Sequence, residues 1–78
     1  MFEFRINAIN HKFENVKEAV ETGDLLLFAE WEIEDLLMEA QELKNFITDN
    51  KSLKELSALI NQLNQYLYDI QGLIEKEL

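Results

Sequence analysis

The sequence predicts an all-α protein, an up-down-up antiparallel three-helix bundle. Apolar residues recur at steps of three and four through three long stretches, which is the spacing of one helix face. The chain has no proline and two glycines, so long helices joined by very short connections follow. We expect helices near residues 4–22, 25–48 and 53–76 within one domain that spans residues 1–78. Completion within one chain and completion by homodimerisation are both open, because a domain of this size buries its surface incompletely.

The first helix carries a narrow apolar stripe. Its members are Phe2, Ile6, Ile9, Phe13, Val16 and Val20, spaced like a heptad repeat. Phe4 lies off the stripe and alternates with Phe2 and Ile6, so an extended first segment is the alternative to a helical one. Gly23 is expected to end this helix in a left-handed conformation, and Asp24 to cap the next one.

The second helix holds most of the negative charge. Residues 25–50 contain seven acids and one lysine, a net charge of −6 out of −9 for the chain. The predicted buried stripe is Leu26, Ala29, Ile33, Leu36, Ala40, Leu43 and Ile47. An acidic row recurs beside it at Glu32, Asp35, Glu39 and Glu42, with Glu30, Glu34 and Asp49 nearby. Like charges at these spacings repel by roughly 0.2–0.5 kcal/mol per pair, so the row opposes folding slightly.

The acidic residues allow two interpretations. They form either the ordinary solvated surface of a small domain or a surface that binds a basic region of another protein. In one version of the second interpretation, the partner is a nucleic-acid-binding protein and the acids mimic its nucleic acid. The sequence pI near 4.4 disfavours direct binding to nucleic acid or to an anionic membrane, because the charges have the same sign. Net charge therefore favours a cationic partner protein.

Large apolar side chains lie off the buried stripe of the second helix: Leu27, Phe28, Trp31, Met38 and Phe46. They either widen the core or form an apolar patch rimmed by acids, a surface typical of protein interfaces. Under the second interpretation Trp31 joins the acids in binding a partner. The residues predicted to serve self-association are Phe28, Met38, Tyr66 and Tyr68.

The third helix is predicted to begin at a capping box formed by Ser52 and Glu55. Its apolar stripe is Leu53, Leu56, Ile60, Leu63, Leu67, Ile70 and Ile74, with a second row at Leu59, Tyr66 and Leu73. Gly72 lies within the pattern, so either the helix continues through it with another backbone close by or the helix frays there. The outer face is rich in amides, which indicates either solvated surface or a further interaction face.

Catalytic and metal-binding patterns are missing from the sequence. The chain has one histidine, His11, and no cysteine, so neither a thiolate zinc site nor a disulfide is available. It contains no Gly-rich phosphate loop and no nucleophile elbow. No apolar run reaches membrane-spanning length. We expect a cytoplasmic, non-enzymatic protein without a cofactor, acting as a small acidic adaptor or inhibitor. The alternative is a self-associating structural or assembly protein.

Overall fold

Three α-helices pack together in the computed structural model, which describes residues 2–23 and 26–77, the side chain of Glu77 excepted. They are α1 (Phe2–Glu21), α2 (Leu26–Lys44) and α3 (Asn50–Glu77). The molecule is elongated, about 43 Å long and 18 by 15 Å across. The extended alternative for the first segment is wrong, because α1 is helical from Phe2 onward and Phe2 packs against the core.

The core is built from the apolar stripes that the sequence predicts. Among the residues that the structure describes, fourteen side chains are buried, all of them apolar: Ile6, Ile9, Phe13 and Val16 from α1; Ala29, Ile33, Leu36, Leu37, Ala40 and Leu43 from α2; Leu56, Leu59, Leu63 and Ile70 from α3. Residues at the ends of the stripes, such as Val20, Leu26 and Ile74, are partly buried against this cluster. α1 and α3 each share more contact with α2 than with each other, so α2 is the element that joins the other two.

The end of α1 has the conformation predicted for Gly23. Gly23 has a φ of 100°, the left-handed conformation that a residue without a Cβ adopts at low cost. The N–H of Thr22 donates to the carbonyl of Glu18 at 3.1 Å, and the N–H of Gly23 donates to that of Val20 at 3.1 Å. These bonds satisfy carbonyls at the end of α1. The predicted cap at Asp24 lies outside the described residues.

The second connection differs from the prediction at both of its ends. α2 stops at Lys44 rather than near residue 48, and the N–H groups of Asn45 and Phe46 donate to the carbonyls three residues before them, at 3.1 and 3.0 Å. Such bonds tighten the last turn of a helix. α3 starts at Asn50, ahead of the predicted start near residue 53.

Asp49, rather than Ser52, is the N-cap of α3. Its Oδ2 accepts a hydrogen bond from the N–H of Ser52 at 2.9 Å, and its carbonyl accepts the N–H of Leu53 at 3.1 Å. The predicted capping box of Ser52 and Glu55 is therefore wrong. Aspartate caps a helix as well as serine does, and its charge also interacts favourably with the positive end of the helix dipole. Ser52 consequently lies inside the first turn.

Gly72 neither ends α3 nor meets another backbone. The helix runs past it to Glu77, and a Cβ added at this glycine would meet nothing within 4 Å. The predicted continuation of the helix through Gly72 is therefore confirmed, whereas the close backbone expected with it and the alternative of fraying are both wrong. The position is an open site on a continuous helix. Within the described residues, no helix combines the length and apolar content that crossing a membrane requires.

Candidate functional site

The side of α2 that faces away from the core carries the residues singled out by the sequence. Because Ile33 and Ala40 point into the bundle with no exposed surface, the residues on the opposite side of α2 point outward. We call this side the outer face of α2. Its exposed members are Leu27, Phe28, Trp31, Glu32, Glu34, Asp35, Met38, Glu39, Gln41 and Glu42.

The acidic row occupies the part of the outer face next to α1. Glu32, Asp35 and Glu39 line a groove of about 310 Å³, together with Lys12 and Asn15 from α1. Val16 and Leu36 supply apolar surface in the same groove. The carboxylates do not converge on one point: the described residues contain no group of three or more potential metal ligands close enough to hold an ion. The row is thus spread along the helix.

Two cations of α1 reach the acidic row. The Nζ of Lys12 lies 3.8 Å from the Oε2 of Glu39, with both side chains about half exposed or more. An exposed pair at this distance contributes little to stability, about 0–1 kcal/mol. Arg5 lines a smaller pocket with Glu39 and Glu42. Within residues 2–23 and 26–76, Glu32 and Asp35 form no ion pair, so the row is only partly compensated.

The remaining predicted acids have different surroundings. Glu34 is exposed on the outer face, on the side away from α1, whereas Glu30 is partly buried. Asp49 lies beyond the end of α2, and its carboxylate is engaged at the start of α3. The N–H of Ser52 and then its hydroxyl, both hydrogen-bonding the carboxylate, hold the pKa of Asp49 below its usual range. Asp49 therefore caps α3, a structural role that the other acids predicted to bind a partner do not have.

The large apolar residues of α2 do not widen the core. Trp31 is 59% exposed, and Leu27, Phe28 and Met38 are exposed to a similar degree. The rings of Phe28 and Trp31 contact each other edge to face, with centroids 5.8 Å apart and planes at 88°. Phe46, in the turn after α2, is also exposed. The interpretation that these side chains extend the core is wrong, because neither α1 nor α3 covers this side of α2.

The four residues predicted for self-association lie on different parts of the bundle. Phe28 and Met38 belong to the outer face of α2, while Tyr68 is 74% exposed on α3. Tyr66 is partly buried and contacts Phe13 edge to face, with ring centroids 5.5 Å apart. Burial raises the pKa of the Tyr66 hydroxyl, and the charges of Glu21 and Asp69 add to this effect. Tyr66 therefore contributes mainly to packing between α1 and α3.

Comparison with known proteins returned no match to a protein-family model, to a curated protein or to a solved structure.

Proposed function

We propose that the protein is a non-enzymatic binding module, an adaptor or inhibitor whose outer face of α2 binds a basic surface of another protein. The observation that carries this proposal is the exposure of Trp31 beside Glu32 and Asp35, two carboxylates that form no ion pair with any residue of the described part of the chain. Aromatic side chains in such surroundings are typical of interface anchors, and the surrounding charges select the partner.

The spacing of the acidic row favours the binding of cations. Glu32, Asp35 and Glu39 lie three and four residues apart, so their charges repel and slightly destabilise the free protein. A partner that brings cations into the groove relieves this repulsion when it binds. The net charge of −9 also attracts a cationic partner over distances of about one Debye length, roughly 8 Å at physiological salt.

Mimicry of a nucleic acid is one form of this proposal. The row from Glu32 to Glu42 lies wholly on α2, and at 1.5 Å per residue it measures roughly 15 Å. This equals four or five phosphate steps of about 3.4 Å along one strand. Asp49 does not extend the row, because it lies in the connection to α3. The mimic would therefore occupy a short basic groove of a nucleic-acid-binding protein.

We also infer an up-down-up order of the helices, which leaves the outer face of α2 free. The neighbours across the α1–α2 boundary support it: Arg5 lies with Glu42 and Phe46, and Lys12 lies with the earlier residue Glu32. A later residue of α1 thus lies beside an earlier residue of α2, which indicates that the two helices are antiparallel. Ile6 near Glu55 and Phe13 near Tyr66 indicate the same direction for α1 and α3.

Self-association is the second candidate, and the exposed apolar side chains of α2 favour it. A homodimer through this face would bury Trp31 and Phe28, which a protein of this size leaves uncovered. It would also bring the acids of one copy close to those of the other, and like charges facing each other across an interface are unfavourable. We therefore rank a cationic partner above a second copy.

The experiment combines affinity capture with a matched pair of variants. A partner is isolated from lysate and identified, and its affinity is measured for a variant with Glu32, Asp35, Glu39 and Glu42 replaced by their amides. The control replaces Glu18, Glu21, Glu55 and Glu75, which are exposed elsewhere, and changes the net charge equally. We expect the first variant to lose about tenfold or more in affinity and most of the salt dependence, and the control to lose much less.

If the two variants weaken the affinity for the partner equally, the effect depends on net charge alone. That result would overturn the assignment of α2 as the binding element. Sedimentation equilibrium decides the second candidate: a homodimer that dissociates when Trp31 is replaced by glutamate would favour self-association. Circular dichroism of each variant shows that the helices are retained.

A further inference from the structure

We infer that the element which docks on the outer face of α2 is a cationic amphipathic helix of the partner, with an apolar stripe bordered by lysine or arginine on both sides. This inference rests on the proposed function and names the partner's chemistry. It follows from the arrangement of apolar and acidic side chains around α2.

The apolar part of the outer face forms a strip along the helix axis. Leu27, Trp31 and Met38 are four and seven residues apart, so they lie on one side of α2, and Phe28 contacts Trp31 beside them. At 1.5 Å per residue the strip from Leu27 to Met38 is roughly 16 Å long, about three helical turns. Helices that dock on a groove or face commonly use apolar anchors over this length.

Acids border the strip on both sides. Towards α1 lie Glu32, Asp35 and Glu39, and on the opposite side lies Glu34. A helix with a central apolar stripe and cations on both edges would therefore match the apolar strip and the two acidic borders together. A basic groove that recognises phosphates would match the acids but leave Phe28 and Trp31 against polar groups. This difference favours an amphipathic helix over a nucleic-acid-binding groove.

The groove beside α1 has room for a cation from one edge of such a helix. Its volume is about 310 Å³, and Val16 and Leu36 provide apolar surface beside the three carboxylates. The aliphatic stem of a lysine or arginine packs on apolar surface while its charged end stays with polar groups. The groove therefore suits a long cationic side chain better than a small ion.

A second copy of this chain is a poorer occupant. Its own outer face presents the same apolar strip with the same acidic borders, so two such faces would bring carboxylates together. The cationic helix brings opposite charges to the same positions and removes the repulsion within the row. Charge complementarity thus distinguishes the two occupants, although both would cover Trp31.

The experiment uses two synthetic peptides of identical composition, made of leucine, alanine and lysine without tryptophan. In one, leucines repeat at helical spacing with lysines on both edges; in the other the order is scrambled so that no apolar stripe forms. Trp31 is the chain's one tryptophan, so its fluorescence reports on the outer face directly. We expect the amphipathic peptide to shift the emission to shorter wavelength and to bind about tenfold or more tightly than the scrambled one.

Matched variants separate this inference from the proposed function. Phe28→Ser and Met38→Gln each remove one apolar side chain from the outer face of α2 and keep Trp31 as the reporter. Tyr68→Ser on α3 is the control for loss of an exposed apolar side chain. We expect the two α2 variants to weaken binding of the amphipathic peptide several-fold and the control to leave it unchanged. Replacing Glu32, Asp35 and Glu39 by their amides should weaken binding of both peptides.

Each alternative result has one meaning. If the two peptides bind equally, or the amphipathic one does not bind, the helix inference is overturned. If the apolar variants have no effect while the amide variants do, the inference fails and the proposed function stands. If peptide binding is unchanged in the amide variants, the proposed function is overturned as well. A homodimer lost on Phe28→Ser would assign the strip to a second copy.

Discussion

The outer faces of α2 and α3 differ although their buried sides are alike. Ile33 in α2 and Leu63 in α3 have no exposed surface, and both helices contribute stripes to one core. The outer face of α3 carries amides such as Asn61 and Gln65, and Gln65 donates a hydrogen bond to Asp69 at 3.1 Å. The outer face of α2 instead carries carboxylates and exposed aromatic rings.

The buried sides of the helices stabilise the fold, whereas the outer faces are available for binding. Leu27, Phe28, Trp31 and Met38 are four large apolar side chains that α2 exposes to solvent. α2 also has an excess of five negative charges over its 19 residues, from six acids and one lysine. α3, with 28 residues, exposes Tyr68 and Leu73 and has nearly balanced charge. Folding requires neither the exposed apolar side chains of α2 nor its excess of negative charge. The outer face of α2 is therefore the better candidate for recognition of a partner.

The largest effect is expected on the buried sides, where the two helices should behave alike. Ile33→Ala and Leu63→Ala should each lower the free energy of unfolding by about 2–5 kcal/mol, because each leaves a cavity. Trp31→Ala and Tyr68→Ala should each change it by less than about 0.5 kcal/mol. Urea unfolding followed by circular dichroism measures all four. A loss for Trp31→Ala as large as that for Ile33→Ala would assign this ring to the core.

The two glycines should respond in opposite directions. Gly72→Ala places a methyl group in open space on a continuous helix, so we expect a gain of about 1 kcal/mol in the free energy of unfolding. Gly23→Ala forces a side chain into the left-handed region at φ 100°, with an expected loss of about 1–2 kcal/mol. The same urea titrations report both. Loss of stability in Gly72→Ala would contradict a helix that continues unbroken through this residue.

The acid dependence of stability should report on the start of α3. The pKa of Asp49 is lower in the folded chain than its ordinary value of 3.8, so its contribution is fully present above that pH and is lost as the pH falls through the folded-state value. Asp49→Ala should therefore lower the melting temperature near neutral pH, and the difference from the parent protein should shrink in strong acid. Ser52→Ala is the matched control with a smaller expected effect. Equal losses in both variants would make Ser52 an equal partner in the cap.

The smallest expected effect compares the charges of the two outer faces. Replacing Glu32, Asp35 and Glu42 by amides keeps the pair of Lys12 and Glu39 and should raise the free energy of unfolding by roughly 0.2–0.5 kcal/mol for each like-charge pair relieved. The control on α3, with Glu55, Asp69 and Glu75 replaced, should gain less. In about 1 M salt the Debye length falls to roughly 3 Å, and the difference should vanish. No gain at low salt would mean that the cations of α1 already compensate the row.

Helical periodicity explains how much of the fold the sequence predicts. The stripes through Phe13, Ile33 and Leu63 were identifiable because a spacing of three and four is a property of each helix alone. Gly23 was identifiable for a similar reason, since its left-handed conformation is a local preference. Leu37 was missed, because it lies off the predicted stripe and its burial depends on which neighbouring helices cover that side of α2.

Helix ends were predicted less well, because neighbouring residues compete to cap them. Asp49 and Ser52 are both good caps, and nothing in their order along the chain ranks one above the other. The structure shows Asp49 as the cap, so α3 starts at Asn50. Asp49, which the sequence placed near the acidic row as a partner-binding residue, thereby has a structural role.

By itself the sequence determined an acidic, all-helical chain with three apolar stripes and a middle helix rich in carboxylates. Only the tertiary structure decided that Trp31 and Met38 are exposed while Tyr66 packs on Phe13, and that Lys12 reaches Glu39. The physical reason is that the spacing of residues defines the sides of a helix, whereas burial of each side depends on which neighbouring helices cover it.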